Sequence, residues 1–248
     1  MIQAVAADHH EPNPADAGHG EPAPNVVHVR VLRQDAPGEE SYWERHAVPY
    51  EPNMNVISIL QRIAAVARSA DGRQVAPVAW DCNCLEEVCG SCTMLVNGRT
   101  RMACTALVDK LLEENAEEIE LKPMSKFPVV RDLVVDRGRL FRSLERVKAW
   151  VPVDGSYDHG PGPRISPEEQ EDAYPLSTCI SCGCCLEACP QFGLEADASK
   201  WEESLQGAQV WSQVRLFNMQ PIGATLAGDR LDAVMGEGGI ADCGNAQN

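Results

Sequence analysis

Residues 179–190 read Cys-Ile-Ser-Cys-Gly-Cys-Cys-Leu-Glu-Ala-Cys-Pro, and no other stretch restricts so tightly what this chain can become. Cys179, Cys182, Cys185 and Cys189 fall in the frame C-x2-C-x2-C-x3-C, with Pro190 next. Three thiolates spaced two apart can wrap one iron–sulfur cube from a tight loop. The fourth cysteine of such a run ligates a different cluster. The motif therefore implies two clusters and a second source of ligands. A zinc site is the plainer alternative, but zinc motifs pair two C-x2-C units and do not end in Cys-Pro.

The rest of the composition agrees with metal ligation. Ten of the 11 cysteines sit in two short groups, whereas secreted disulfide scaffolds spread an even set through a short chain. Clustering of this kind points to a reducing, cytoplasmic compartment. With 37 acidic and 21 basic residues the net charge is −16, which argues against a nucleic-acid backbone as partner. No stretch approaches the roughly 20 apolar residues that cross a bilayer, and no signal peptide opens the chain. At 248 residues two modest domains are expected.

The second ligand group lies upstream. Cys84, Cys89 and Cys92 make C-x4-C-x2-C, and Cys104 follows. That is the plant-type spacing for a two-iron, two-sulfide cluster. The four-residue loop lets backbone N–H groups point at sulfur, and Gly90 permits close approach. Asn97-Gly98 between Met94-Leu95-Val96 and Arg99 predicts a hairpin that returns Cys104 to the cluster. Cys82 and Cys184 fall outside both frames and read as packed or screened thiols.

Around these groups the pattern reads as follows. Residues 1–25, rich in Pro and His and without a basic residue, form a disordered tail, and His9, His10 and His19 are incidental to it. Val26 opens a first strand that alternates through Val31, and Tyr42 to Tyr50 is a second. Met54 to Ala70 is a helix capped by Asn53 or Asn55, and Val75 to Trp80 a short buried strand. Ile119-Glu120-Leu121 is the last strand of this part. Val129 to Trp150 follows helical spacing and carries Arg131, Arg137, Arg139, Arg142, Arg146 and Lys148, either a solvated face or a contact with a partner subunit. After a Pro- and Gly-rich loop, Ser166-Pro167-Glu168-Glu169 starts a helix. Trp201 to Val210, Ser212 to Asn218 and Asp229 to Met235 are also helical. The expected fold is α+β: a β-grasp, plant-type 2Fe-2S ferredoxin-like domain over 26–126, then a mainly helical 4Fe-4S ferredoxin-like domain over 127–248.

Near the end, Cys243 stands alone. In the C-x2-C-x2-C frame Ala246 takes the second place, and the third falls at position 249, beyond the last residue given, so the pattern reads as cut short. A group with alanine in place of one cysteine suits three irons and not four.

Together these residues resemble the iron–sulfur subunit of the succinate dehydrogenase and fumarate reductase family, from about Val26 to the end. The resemblance implies Cys84, Cys89, Cys92 and Cys104 for a 2Fe-2S cluster and Cys179, Cys182 and Cys185 for a 4Fe-4S cluster. Cys189 and Cys243 would hold a 3Fe-4S cluster. Pro190 is a candidate quinone contact, and the tryptophan common behind it in ubiquinone-using members is missing from Gln191-Phe192-Gly193. Asn83 to Gly90 and Gln213 to Asn218 resemble the bacterial branch that uses menaquinone and a haem-bearing cytochrome b anchor.

The implied function is electron transfer in an oxidoreductase. A flavoprotein partner carrying FAD oxidises succinate to fumarate, and electrons pass through the clusters to a quinone. The chain itself lies peripherally on the cytoplasmic face of the membrane. No residue here needs to act as acid or base. Two rivals keep the clusters: a fumarate reductase working in reverse, and a thiol-linked cysteine-rich oxidoreductase. A third, a zinc-binding interaction module, would contain no sulfide.

Overall fold

The computed structural model describes residues 26–114, 117–152, 162–193 and 204–243. The tail expected over 1–25, the start of the helix expected from Trp201, and Ala246 lie outside the described residues.

The first half is a five-stranded mixed sheet built on one helix. Strands β1 (Val26–Arg33) and β2 (Tyr42–Pro49) form an antiparallel pair in register from Val26↔Pro49 to Arg33↔Tyr42. After helix α1 (Val56–Val66) come β3 (Thr93–Val96) and β4 (Arg99–Met102), then the short helix α2 (Val108–Glu114) and β5 (Ile119–Lys122). The sheet order is β2-β1-β5-β3-β4, with β1 and β5 parallel at the centre. This is the β-grasp arrangement expected. Alternation in β1 buries Val27, Val29 and Val31 against the face that α1 covers. Helix α1 contributes Val56, Ile57, Ile59, Leu60 and Ile63, each worth about 1.5–3 kcal/mol on leaving water. Asn55 caps it, accepting from Ser58 N at 2.9 Å, and Ala67 ends it in the left-handed conformation at φ 51°. Asn97 and Gly98 turn the β3–β4 hairpin with φ of 49° and 74°, the two positive angles of a type I′ turn.

Two expectations are corrected here. Residues 75–80 form no strand: Pro77 has no N–H to give a ladder, and only Val78 in that run is buried. Side chains hold the segment instead. Arg33 donates to the carbonyls of Ala76 and Pro77, and Ala79 N donates to Asp132 Oδ2 at 2.8 Å. Nor is 129–150 one helix. Strands β6 (Val129–Arg131) and β7 (Val134–Val135) form a hairpin before helix α3 (Gly138–Arg146) begins. Asp132 turns that hairpin at φ 48° with a fully buried carboxylate, so tertiary hydrogen bonds override the helical spacing.

The second half is helical among its described residues. Helix α4 (Pro167–Ser177) opens on the expected capping box, Glu169 N donating to Ser166 Oγ at 3.2 Å and Ser166 N to Glu169 Oε2 at 2.8 Å. It is followed by α5 (Cys184–Ala188), α6 (Ala208–Met219), a 3-10 turn at Gly223–Leu226, α7 (Ala227–Met235) and α8 (Ile240–Cys243). The helices expected at 201–210 and 212–218 run together in α6, whose described part starts at Ala208. Two smaller cores serve this half. Met124, Phe127, Val135, Leu140, Leu186 and Phe192 form one. Val147, Val210, Val214 and Val234 form the other.

Candidate metal centre

The loop after residue 81 winds round one sulfur. Leu85, Glu87 and Gly90 all take left-handed backbone angles, 62°, 61° and 71°. For the two non-glycine residues this costs about 1–2 kcal/mol each. The turns aim N–H groups inward. Cys84 Sγ accepts from Glu86 N at 3.4 Å and from Val88 N and Cys89 N at 3.3 Å, while Cys84 N donates to Cys89 Sγ at 3.5 Å. Hydrogen bonds to ligating sulfur of this kind tune a bound metal centre. A hydrogen bond from Ser91, with others from the Cys84 side of the loop, holds Cys89 down at about 6.

The other two ligand candidates come from the hairpin. Cys92 precedes β3 and Cys104 follows β4, both buried, and Ala103 N donates to Cys92 O at 3.2 Å. Asn55, the α1 cap, donates through Nδ2 to Cys104 O at 2.8 Å, so the helix that fills the grasp also fixes this cysteine. Burial pushes the Cys104 thiol up to about 11, with Cys92 and Cys84 adding to the rise. Cys82 is partly buried against the same core, and burial raises its thiol too.

The second loop lies directly against the first. A methyl group placed on Gly90 would stand 2.7 Å from Cys182 Cβ and 3.0 Å from Cys182 Cα. Cys184 hydrogen-bonds Cys182, which lies at about 6, while Cys184 itself is pushed well up. Cys184 is thus the hydrogen-bond partner of a ligand candidate. Gly183, at φ 88°, caps α5 where a side chain would crowd Phe127 and Met124. Glu187 anchors α5: its carboxylate accepts from Ser125 N at 2.9 Å, Ser125 Oγ at 2.5 Å and Lys126 N at 3.0 Å. Lys126 Nζ in turn donates to Cys189 O. From the other side, Gln209 of α6 donates to Ser181 Oγ at 2.9 Å.

Arg137 reaches between the two loops. It donates to Gly90 O at 2.6 Å and to Ser91 O at 2.8 Å. Sequence reasoning placed Arg137 on a helix face and gave Asp132 and Glu187 no role. The signal for the hairpin is present as Val129-Val130 and Val134-Val135, two β-branched pairs flanking Asp132. Cys179 is exposed after α4, Pro190 is exposed, and Cys243 is exposed at the end of α8. Among the described residues, no three His, Cys, Asp or Glu side chains converge on a point as one ion needs. Iron–sulfur clusters spread their thiolates over several irons. Thiols close to one another, N–H groups aimed at sulfur and a loop contact that admits only glycine suit that donor set.

The described helices include none long and apolar enough to cross a membrane. A family model described as "2Fe-2S iron-sulfur cluster binding domain" matches residues 28–142. The succinate dehydrogenase iron-sulfur subunit of Bacillus subtilis is 50% identical over 223 residues, covering 90% of this chain and 84% of that one. The fumarate reductase iron-sulfur subunit of Wolinella succinogenes is 27% identical over 222 residues, covering 88% and 86%. Among solved structures, a chain of the Mycobacterium smegmatis Sdh1 complex in the apo form shares the fold with a TM-score of 0.65. It is 24% identical and covers 84% of this chain and 82% of its own. The chain belongs to the family of iron–sulfur subunits of succinate dehydrogenase and fumarate reductase.

Proposed function

We propose that this chain carries electrons, within an oxidoreductase complex, from a flavoprotein that oxidises succinate to a quinone in the membrane. The observation that carries the reading is 50% identity to a succinate dehydrogenase iron-sulfur subunit along 90% of the chain.

Bound iron–sulfur clusters supply one-electron redox chemistry at such sites. The residues proposed to hold them are Cys84, Cys89, Cys92 and Cys104 for 2Fe-2S and Cys179, Cys182 and Cys185 for 4Fe-4S. Cys189 and Cys243 are proposed for 3Fe-4S, and exposed Pro190 for a quinone contact. The chain's own work is to favour the thiolate at Cys89 and Cys182, space the two loops and bury Cys92 and Cys104. We propose the division at 26–126 and 127–248, with the first part facing the flavoprotein and the helical part facing a cytochrome b anchor. The quinone is proposed to be menaquinone, with FAD and haem on the partner subunits. The site is peripheral, on the cytoplasmic face.

The test is electron paramagnetic resonance on the native complex in membranes, air-oxidised and then reduced with succinate. A three-iron signal that disappears with succinate as a two-iron signal grows is the expected result. No signal responding to succinate would overturn the reading.

A further inference from the structure

Arg137 is half-buried, and among the described residues no carboxylate lies within ion-pair distance of it. A desolvated cation without a counter-ion is costly, so its charge calls for an anion nearby. Both firm hydrogen bonds it makes are to neutral carbonyls, Gly90 O at 2.6 Å and Ser91 O at 2.8 Å. The groups that draw on its charge are Asp81 at longer range, then Cys182, Cys184 and Cys92. Cys182 and Cys184 belong to the second loop, Cys92 to the first. The same Gly90 whose carbonyl Arg137 grips is the residue packed on Cys182. Position, fork and charge therefore meet where Gly90 packs on Cys182.

We propose that Arg137 is a positioning residue that clamps the first cysteine loop against the second and raises the reduction potential of the centres bound there. The inference rests on the cluster assignment above. The fork of the guanidinium sets spacing: two N–H donors on successive carbonyls fix the Gly90–Ser91 turn, which fixes the approach of Gly90 to Cys182. The charge sets potential. A fixed cation in a part-buried site stabilises the reduced, more negative state of an anionic centre. Gly90 and Ser91, which Arg137 holds, adjoin Cys89 and Cys92 of the first loop, and Gly90 packs on Cys182 of the second, so both centres lie within its reach. The thiolates and what they bind add to the counter-charge that Asp81 supplies at longer range.

The test is a redox titration, followed by electron paramagnetic resonance, of the purified complex with the native chain, Arg137→Gln and Arg137→Lys. Dithionite is the reductant and ferricyanide the oxidant. Arg137→Gln is expected to weaken reduction of the centre at Cys179, Cys182 and Cys185 about tenfold, ~59 mV for one electron. The centre at Cys84, Cys89, Cys92 and Cys104 shifts in the same direction. Arg137→Lys, which keeps the charge and loses the fork, restores most of the potential. Native potentials in both variants, or equal shifts in both, overturn the proposal. Should Arg137→Gln not assemble, Arg137→Met takes its place as the neutral variant: native potentials in it overturn the proposal, and a tenfold shift that Arg137→Lys restores supports it. A native complex with no two-iron signal on dithionite reduction removes the cluster assignment itself, before any variant is compared.

Discussion

Arg33 and Asp132, 99 residues apart, meet through Nε and Oδ1 at 2.8 Å with both side chains out of water. The same guanidinium contacts Glu44 at 2.5 Å, and Asp132 also accepts from Gln34 N at 3.2 Å and Ala79 N at 2.8 Å. The pair joins the sheet, the extended run at 75–80 and the hairpin that carries Arg137. It thereby sets the path of chain entering the first cysteine loop and the stem behind the clamp on that loop.

Removing one partner of this pair leaves a buried cation short of an anion. Asp132→Ala is expected to cost about 3–5 kcal/mol, measured by denaturant unfolding of the purified chain. Asp132→Asn keeps one oxygen, enough for either the Gln34 or the Ala79 backbone donor but not both, and is expected to cost less than Asp132→Ala. Equal, small losses in both would show that Glu44 alone satisfies Arg33.

Gly90 has no room for a side chain. Gly90→Ala places a methyl 2.7 Å from Cys182 Cβ and forces φ +71° on a residue that disfavours it. A loss of about 1–3 kcal/mol is expected, seen as a lower melting temperature. Iron content per chain should fall with it. An unchanged melting temperature would mean that the two loops do not touch.

Thiol chemistry should separate the first-loop cysteines. Cys89 is held at about 6, so in the metal-free chain its thiolate forms as pH rises through 6 and is complete by neutral pH. Cys104, pushed up to about 11 by burial, stays protonated until far higher pH. Iodoacetamide at pH 7.5, followed by peptide mass spectrometry, should label Cys89 well before Cys104. Equal labelling at that pH would contradict the burial of Cys104.

The cap of α1 also supports the site. Asn55→Ala removes the bond to Ser58 N and the one from Nδ2 to Cys104 O. Loss of the cap alone is worth about 0.5–2 kcal/mol. A second effect is expected on the two-iron signal in the intact complex, because Cys104 loses its tether. A change in stability with an unaltered signal would assign Asn55 to the helix alone.

The elements legible in the sequence are those whose cause is local. Alternation marks β1 and β2, Asn97-Gly98 marks its hairpin, Ser166 to Glu169 marks the start of α4, and cysteine spacing marks both ligand loops. The run at 129–150 misled because its apolar residues satisfy a helical period while Asp132 draws its partners from far away in the chain. The run at 75–80 misled because apolar content suggests a strand, whereas a strand also needs N–H groups and a neighbour, and Pro77 lacks the first.

Sequence alone determined the chemistry: the number, spacing and order of thiols, and with them the class of cofactor and the family. Spacing along a loop is a local property, so it survives without coordinates. Only the tertiary structure decided that Gly90 lies on Cys182 and that Arg137 grips the Gly90–Ser91 turn. Those contacts join parts of the chain about 45 to 90 residues apart. They arise where packed cores bring separate elements together, and no periodicity in the sequence records such meetings.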